Sequence, residues 1–397
     1  MVIAAPSMVP EAAAAGQLYV SAENAEYANS FNGFQIVEVV VRDPQRSQTD
    51  ESQGEPVVRV NSNVLRMAQG ADGNWYAYFA SHAHLIAGDV ADNNLNFGTD
   101  AVLAQDTATV TWNKTGNISV YTNAAAGVIG NAPALSQHNV TSVGDGGSTT
   151  EAYQNTDGTS VSGQTGVRTT EWPVIQTFDL TIGTFDVVLE QAGADEVVTL
   201  DHETGDIDAF AGIEFDRTSA AQGAEIHITI TDPALNIDPT AEDIVIFKVR
   251  NNNTGSLSST AGLSGDRASM SFTNGTLPTV AETSVYGIEN SYYKPATNSF
   301  GDDGLLTINN MTSGSTIVLS SDATLDDTIG ADEFMVFWET AENTGVFVNT
   351  DDNDDSNLNV STSAKRGTTA TFNFNDSSYS FVVANDFGTI DMVESSV

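Results

Sequence analysis

The sequence predicts an all-β chain of two tandem Ig-like β-sandwich modules with long loop insertions. Three observations predict it. Apolar residues alternate rather than recur at helical spacing, turn residues bound each alternating run, and three stretches repeat in the same order along the chain.

The alternation comes first. Phe34 to Val41 (FQIVEVVV), Glu225 to Ile230 (EIHITI), Ile244 to Val249 (IVIFKV) and Phe334 to Trp338 (FMVFW) are rich in β-branched and aromatic residues. No long stretch places apolar residues at i, i+3, i+4 and i+7. A period of two with Gly, Asn and Asp between runs is the pattern of half-buried strands in sandwiches.

The repeats come next. Thr107 to Asn113 (TATVTWN) matches Thr369 to Asn375 (TATFNFN), and the register continues into Ile118 to Thr122 against Ser380 to Ala384. Both copies read as β-hairpins. Upstream, Asp92 to Asn96 (DNNLN) matches Asp355 to Asn359 (DSNLN). Further upstream, Gly33 to Pro44 resembles Gly223 to Pro233. In this alignment Trp75 stands where Gly345 stands in the second copy. The first module is expected over 17–173 and the second over 174–397. The first carries an insertion over 123–168 and the second one over about 255–330. Glu171-Trp-Pro173 is the expected hinge. Residues 1–16 read either as the remnant of a signal peptide, cleaved near Ala15, or as a disordered tail.

Composition bounds the function. Among 397 residues, 53 are acidic and 13 basic, a formal charge of −40. Such a surface repels nucleic acid and anionic membranes and attracts cations. Screening relieves its self-repulsion, since the Debye length falls to about 3 Å at 1 M salt. There is no cysteine, so disulfides and thiolate metal sites are excluded. No apolar run is long enough to span a bilayer.

Oxygen-rich loops are the candidate cation sites. Asp351, Asn353, Asp355 and Asn357 alternate along one acidic loop, the spacing by which a loop wraps a hard cation. The match to an EF-hand loop is partial: Ser356 sits where Gly belongs and Thr362 where the bidentate Glu belongs. Asp92 and Asn94 form the weaker first copy. Asp232, Asn236, Asp238 and Asp243 surround the phrase DPALNID after a strand. They read either as a cation site at a module's end or as Asx turns bonding their own backbone. Asp43-Pro44, with Asp50 and Glu51, is the first module's counterpart. Calcium or another divalent cation is the expected ligand. Glycosylation sequons occur at Asn113, Asn117, Asn139, Asn252, Asn274, Asn310, Asn359 and Asn375.

No catalytic reading is expected. The histidines are His82, His84, His138, His202 and His227, and none stands in a recognised acid–base or metal motif. His82 and His84 share a strand face without a completing carboxylate pattern. Asp201-His202-Glu203 alternates across two strand faces.

The phrases Thr231 to Pro239 (TDPALNIDP) and Glu339 to Phe347 (ETAENTGVF), the latter followed by an acidic loop and a strand, resemble a module of the S-layer proteins of ammonia-oxidising archaea. That resemblance implies tandem Ig-like domains tiling into a porous, glycosylated, extracellular lattice supported by divalent cations. The expected function is therefore structural: self-association into a negatively charged lattice that concentrates cations, ammonium among them. The alternative is a calcium-dependent extracellular adhesin or filament subunit.

Overall fold

A computed structural model describes residues 17–31, 35–49, 55–82, 175–202, 207–248, 250–251, 256–258, 268–271, 286–287, 306–309, 316–319, 334–350, 354–356, 358–375 and 377–385. The chain is all-β. Its first module comprises β1 (Leu18–Val20), β2 (Ser30–Phe31), β3 (Val37–Val41), β4 (Val58–Val60), β5 (Asn63–Leu65), β6 (Ala68–Gln69), β7 (Trp75–Ser81), β8 (Ile175–Phe178), β9 (Gly183–Leu189) and β10 (Glu196–His202). These make two sheets: β1-β3-β7-β6 with β8 beside β7, and β2-β10-β9-β4-β5.

Alternation explains how the second of these sheets packs. In β9, Phe185, Val187 and Leu189 face inward while Thr184 and Asp186 face out. In β10, Val198, Leu200 and His202 do the same opposite them. Their inner faces join Val39 and Phe79 from the other sheet in one core, so the module is a sandwich. Edge-to-face pairs close its centre, with Phe31–Phe79 at 6.3 Å and Phe31–Phe185 at 5.9 Å. Each such pair is worth about 0.5–1.5 kcal/mol beyond the area it buries.

His202 lies in this core, and burial pushes its ring down to about 4 from the usual 6.5. The fold therefore resists protonating it. Its contribution is intact above pH 6.5 and is lost as pH falls towards 4, at about 1.4 kcal/mol per pH unit. Denaturation midpoints measured from pH 7 to pH 4 should show the wild type losing roughly 3 kcal/mol relative to His202→Leu. Parallel pH curves for the two proteins would contradict a buried neutral imidazole.

The second module comprises β11 (Gly212–Phe215), β12 (Ser219–Ala220), β13 (Ile228–Thr231), β14 (Ile244–Lys248), β15 (Arg250–Asn251), β16 (Ser256–Ser258), β17 (Ala268–Ser271), β18 (Tyr286–Gly287), β19 (Leu306–Asn309), β20 (Ile317–Leu319), β21 (Phe334–Glu339), β22 (Val346–Val348), β23 (Leu358–Val360), β24 (Thr369–Phe374) and β25 (Ser377–Val383). One sheet runs β11-β13-β22-β21-β14-β17-β18 and another β12-β25-β24-β19-β16-β15, with β20 pairing β23 apart. Phe215 of the first sheet stacks on Tyr379 of the second, centroids 4.2 Å apart.

The two modules share a plan. Each opens with a strand in one sheet (β1, β11) and a second in the other (β2, β12), which runs parallel to the module's last strand. Each then has a strand (β3, β13) followed within two residues by Asp-Pro and a one-turn 3-10 segment capped by that Asp.

Two expectations change here. The first module does not end at residue 173: β8 pairs with β7, and β9 and β10 belong to its second sheet, so the boundary falls between His202 and Gly212. The hairpin β9–β10 is thus the counterpart of β24–β25. The 107–122 stretch that resembles β24–β25 in sequence lies outside the described residues, as do residues 1–16, the 123–168 insertion and the 171–173 hinge. Register also replaces Trp75 as the counterpart of Gly345. The pair Val41–Trp75 sets Gly73 opposite Asp43, and Ile230–Phe347 sets Gly345 opposite Asp232. Among the described residues no helix is long and apolar enough to cross a membrane.

Candidate functional site: a buried carboxylate cluster at the module junction

The Asp-Pro loop of the second module is where the two modules meet. Ile36 N–H donates to the Ile237 carbonyl at 3.1 Å, and the Gln35 side chain donates to the Pro233 carbonyl at 2.6 Å. From the other direction, Asn343 donates to the Ser21 carbonyl at 2.9 Å. Tyr27 donates to the Thr344 carbonyl at 2.7 Å and packs edge-to-face on Phe210. Burial, with the charges of Glu26, Glu339 and Asp232, pushes the Tyr27 hydroxyl up to about 12. A tyrosine of the first module thus lies within electrostatic reach of carboxylates of the second.

Asp232, Asn236, Asp238 and Asp243 are all buried in this loop. Their hydrogen bonds are largely the expected turn chemistry. Asp232 accepts from Ala234 N–H at 3.0 Å, and Asp238 accepts from Thr240 N–H at 2.9 Å. Asp243 Oδ2 gathers the loop by accepting from Ile237 N–H and Asp238 N–H, at 2.5 and 3.0 Å. The turn reading therefore accounts for the local conformation.

It does not account for Glu339, which the sequence reading missed as a site residue. Glu339 is buried beside Asp243, and each donates its backbone N–H to the other residue: to Glu339 Oε2 at 3.0 Å, and to the Asp243 carbonyl at 2.9 Å. Its Oε1 accepts from Thr344 N–H and Gly345 N–H, at 2.7 and 2.8 Å. The signal was parity: Met335, Phe337 and Glu339 share the inward face of β21. Burial raises the Glu339 carboxyl to about 7, against the pull of those N–H donors. Asp243 is also driven well above the carboxylate range, by burial and by the charges of Glu339 and Asp238. Among the described residues neither Asp243 nor Glu339 forms an ion pair.

Gly345 closes the site. Its φ is +64°, and a Cβ there would lie 2.7 Å from Pro233 Cα. Gly73 repeats the arrangement at φ +87°, with a Cβ 2.4 Å from the Ser47 carbonyl oxygen. The loop it approaches is held differently, however. The pairs Gln69–Trp75 and Glu339–Phe347 place Gln69 in the first module where Glu339 stands in the second. Gln69 donates its amide to the Arg46 and Gln48 carbonyls, and Trp75 donates to Arg46 as well.

The other candidates divide. Asp355 is half-buried, and its neighbour Ser356 is a buried hydroxyl donating to the Ile226 carbonyl and accepting from Asn349. Asp351, Asn353 and Asn357 lie outside the described residues, as do Asp92 and Asn94. Of the sequons, Asn359 and Asn375 are described, and both are half-buried. Asn375 takes a left-handed turn position between β24 and β25 at φ +49°. The sequons at Asn113, Asn117, Asn139, Asn252, Asn274 and Asn310 lie outside. His227 is partly exposed beside Glu225 and Asp216, His82 meets Thr177, and His84 lies outside. Among the described residues there is no group of three or more His, Cys, Asp or Glu that could hold a metal ion.

No protein-family model and no curated protein matches the sequence. Among solved structures the chain is similar to FdeC, described as an Escherichia coli adhesin, at 10% identity over 89% of this chain and 93% of that one. The TM-score is 0.12, which carries no argument about fold or function.

Proposed function

We propose that this chain is a structural unit of an extracellular surface layer, built of Ig-like modules in fixed relation. The observation that carries the reading is the junction. Backbone and side-chain hydrogen bonds run in both directions between the modules, from Ile36 and Gln35 one way and from Asn343 the other. A repeating assembly needs that fixed geometry. The resemblance of the second module's phrases to archaeal S-layer proteins supports the same reading, as does the charge of −40. Carboxylates lining pores would raise local cation concentration, ammonium included.

A second reading, a calcium-dependent adhesin or filament subunit, has one observation in its favour. Val197, Val188, Arg59 and Val64 lie in register across the outer face of the β2-β10-β9-β4-β5 sheet, with Val197 and Val64 exposed. Electron microscopy of the full chain with calcium separates the two: sheets or tubes are expected for a layer protein, dispersed particles for an adhesin. Calorimetry with ammonium at low salt tests the charge argument. Heats no larger than those of a neutral protein would remove it.

A further inference from the structure

We infer that the outer face of the β2-β10-β9-β4-β5 sheet is a contact at which two copies of this chain pair about a two-fold axis. The pair is a closed one formed in solution, and it rests on neither the layer reading nor the adhesin reading.

Three observations carry it. First, exposed apolar side chains gather on this sheet. Among the described residues the large exposed ones are Val57, Val64, Ile182 and Val197, on its strands or one residue ahead of them, and Tyr19 elsewhere. Val197, Val188, Arg59 and Val64 stand side by side across β10, β9, β4 and β5. Parity turns them away from the core that Val198, Val187, Val58 and Leu65 fill on the other face. A contiguous apolar row open to water marks an interaction surface, where scattered exposure does not.

Secondly, this face is where a chain of charge −40 can approach another. Its acids are engaged within it: Asp186 accepts from Thr199 Oγ1 at 2.7 Å, and Glu190 pairs with Arg59. Asp201 lies half-buried on the β2 side. Valines and a guanidinium therefore meet a second copy that the net charge would otherwise repel.

Thirdly, the Arg59–Glu190 pair is self-complementary. Its side chains are 37% and 43% exposed. Arg59 spends Nε on Glu190 Oε1 and Nη1 on the Ser62 carbonyl, which leaves Nη2 and Glu190 Oε2 without a partner among the described residues. A two-fold axis brings residue i of one copy to residue j of the other, and j to i. Beside such an axis Arg59 reaches the partner subunit's Glu190 and the reverse, while the valines of the two sheets interdigitate as in facing sheets about 10 Å apart.

The joint between the modules offers a second copy less. The first module's Asp-Pro loop is polar, with Pro44, Gln45 and Gln48 exposed, where the second presents buried Ala234, Leu235 and Ile237. In the second module the register position of Ile36 falls on Glu225, which already bridges Asn359 of its own β23.

Sedimentation equilibrium of the full chain is the test. The wild type should dimerise with concentration, and more tightly as salt rises from about 0.1 M to about 1 M and the Debye length falls from about 10 Å to about 3 Å. Val197→Asp, at an exposed site, should weaken the dimer by about tenfold or more. Arg59→Glu and Glu190→Arg should each be monomeric alone, because the altered residue faces a like charge across the axis, and should form a mixed dimer when combined in equal amounts. Rescue on mixing cannot come from a loss of folding, and it marks the contact as one between copies. A chain monomeric at every concentration and salt, single variants that pair as well as the wild type, or a mixture no more dimeric than its components overturns the inference. Each readout uses free chains, so the layer reading can fail while this one stands.

Discussion

Gly345→Ala is expected to destabilise the protein by roughly 3 kcal/mol or more. Two costs add. An L-residue in the left-handed region gives up about 1–2 kcal/mol. The new Cβ would also lie 2.7 Å from Pro233 Cα, a backbone atom that cannot rotate away. Separating the strands stretches the Asp232 N–H to Gly345 carbonyl bond, now 2.8 Å, and leaves a buried donor short of its acceptor. Gly367→Ala is the control. Its φ is +77°, and the nearest atom to a Cβ there is Asn385 Nδ2 at 3.8 Å, an ordinary contact, so only the backbone term of about 1–2 kcal/mol should appear. Chemical denaturation of both variants checks the difference. Equal losses would show that the close approach at Pro233 does not matter.

Arg66→Met should cost about 3 kcal/mol at pH 8, because it strands a largely buried carboxylate. Arg66 clasps Glu55 through Nε and Nη2, the latter at 2.9 Å, with side chains 3% and 14% exposed. Burial already holds Glu55 up at about 7, against the opposing pull of Arg66. Without the guanidinium the carboxyl takes up a proton more readily still. The penalty is therefore expected to shrink as pH falls to 5, where the neutral acid is cheap to bury. Arg66→Met with Glu55→Leu should recover most of the loss, since the pair replaced by apolar groups is often near neutral. A double variant as unstable as the single one would mean that the packing of the Arg66 stem, rather than the charge pair, is what counts.

Strand positions were readable wherever alternation was strong. Phe334 to Trp338 and Ile244 to Val249 fall on β21 and β14 almost to the residue. The Asp-Pro loop was readable too, because an Asp that caps its own turn needs no distant partner. What escaped was everything decided by pairing. The first module's closing hairpin, β9–β10, shares the in-and-out pattern of β24–β25 but few of its residues, since a sheet selects for parity and packing rather than identity. Residues 107–113 shared the identities and attracted the match. Glu339 escaped for a similar reason. Its polarity suggested the end of a strand, while its parity with Phe337 put it inside. Gly73 became the counterpart of Gly345 only once the strand registers were known.

The placement of each module's second strand has a mechanical consequence. β2 runs parallel to β10, and β12 runs parallel to β25, each joining the beginning of its module to the end. Tension along the chain pulls one strand of such a pair from its leading end and its partner from the opposite end. The bonds between them are then loaded together, in shear, rather than peeled one at a time as in an antiparallel hairpin. A short patch of hydrogen bonds loaded that way yields at a higher force than the same patch unzipped. Each module is thus latched where tension along the chain would act.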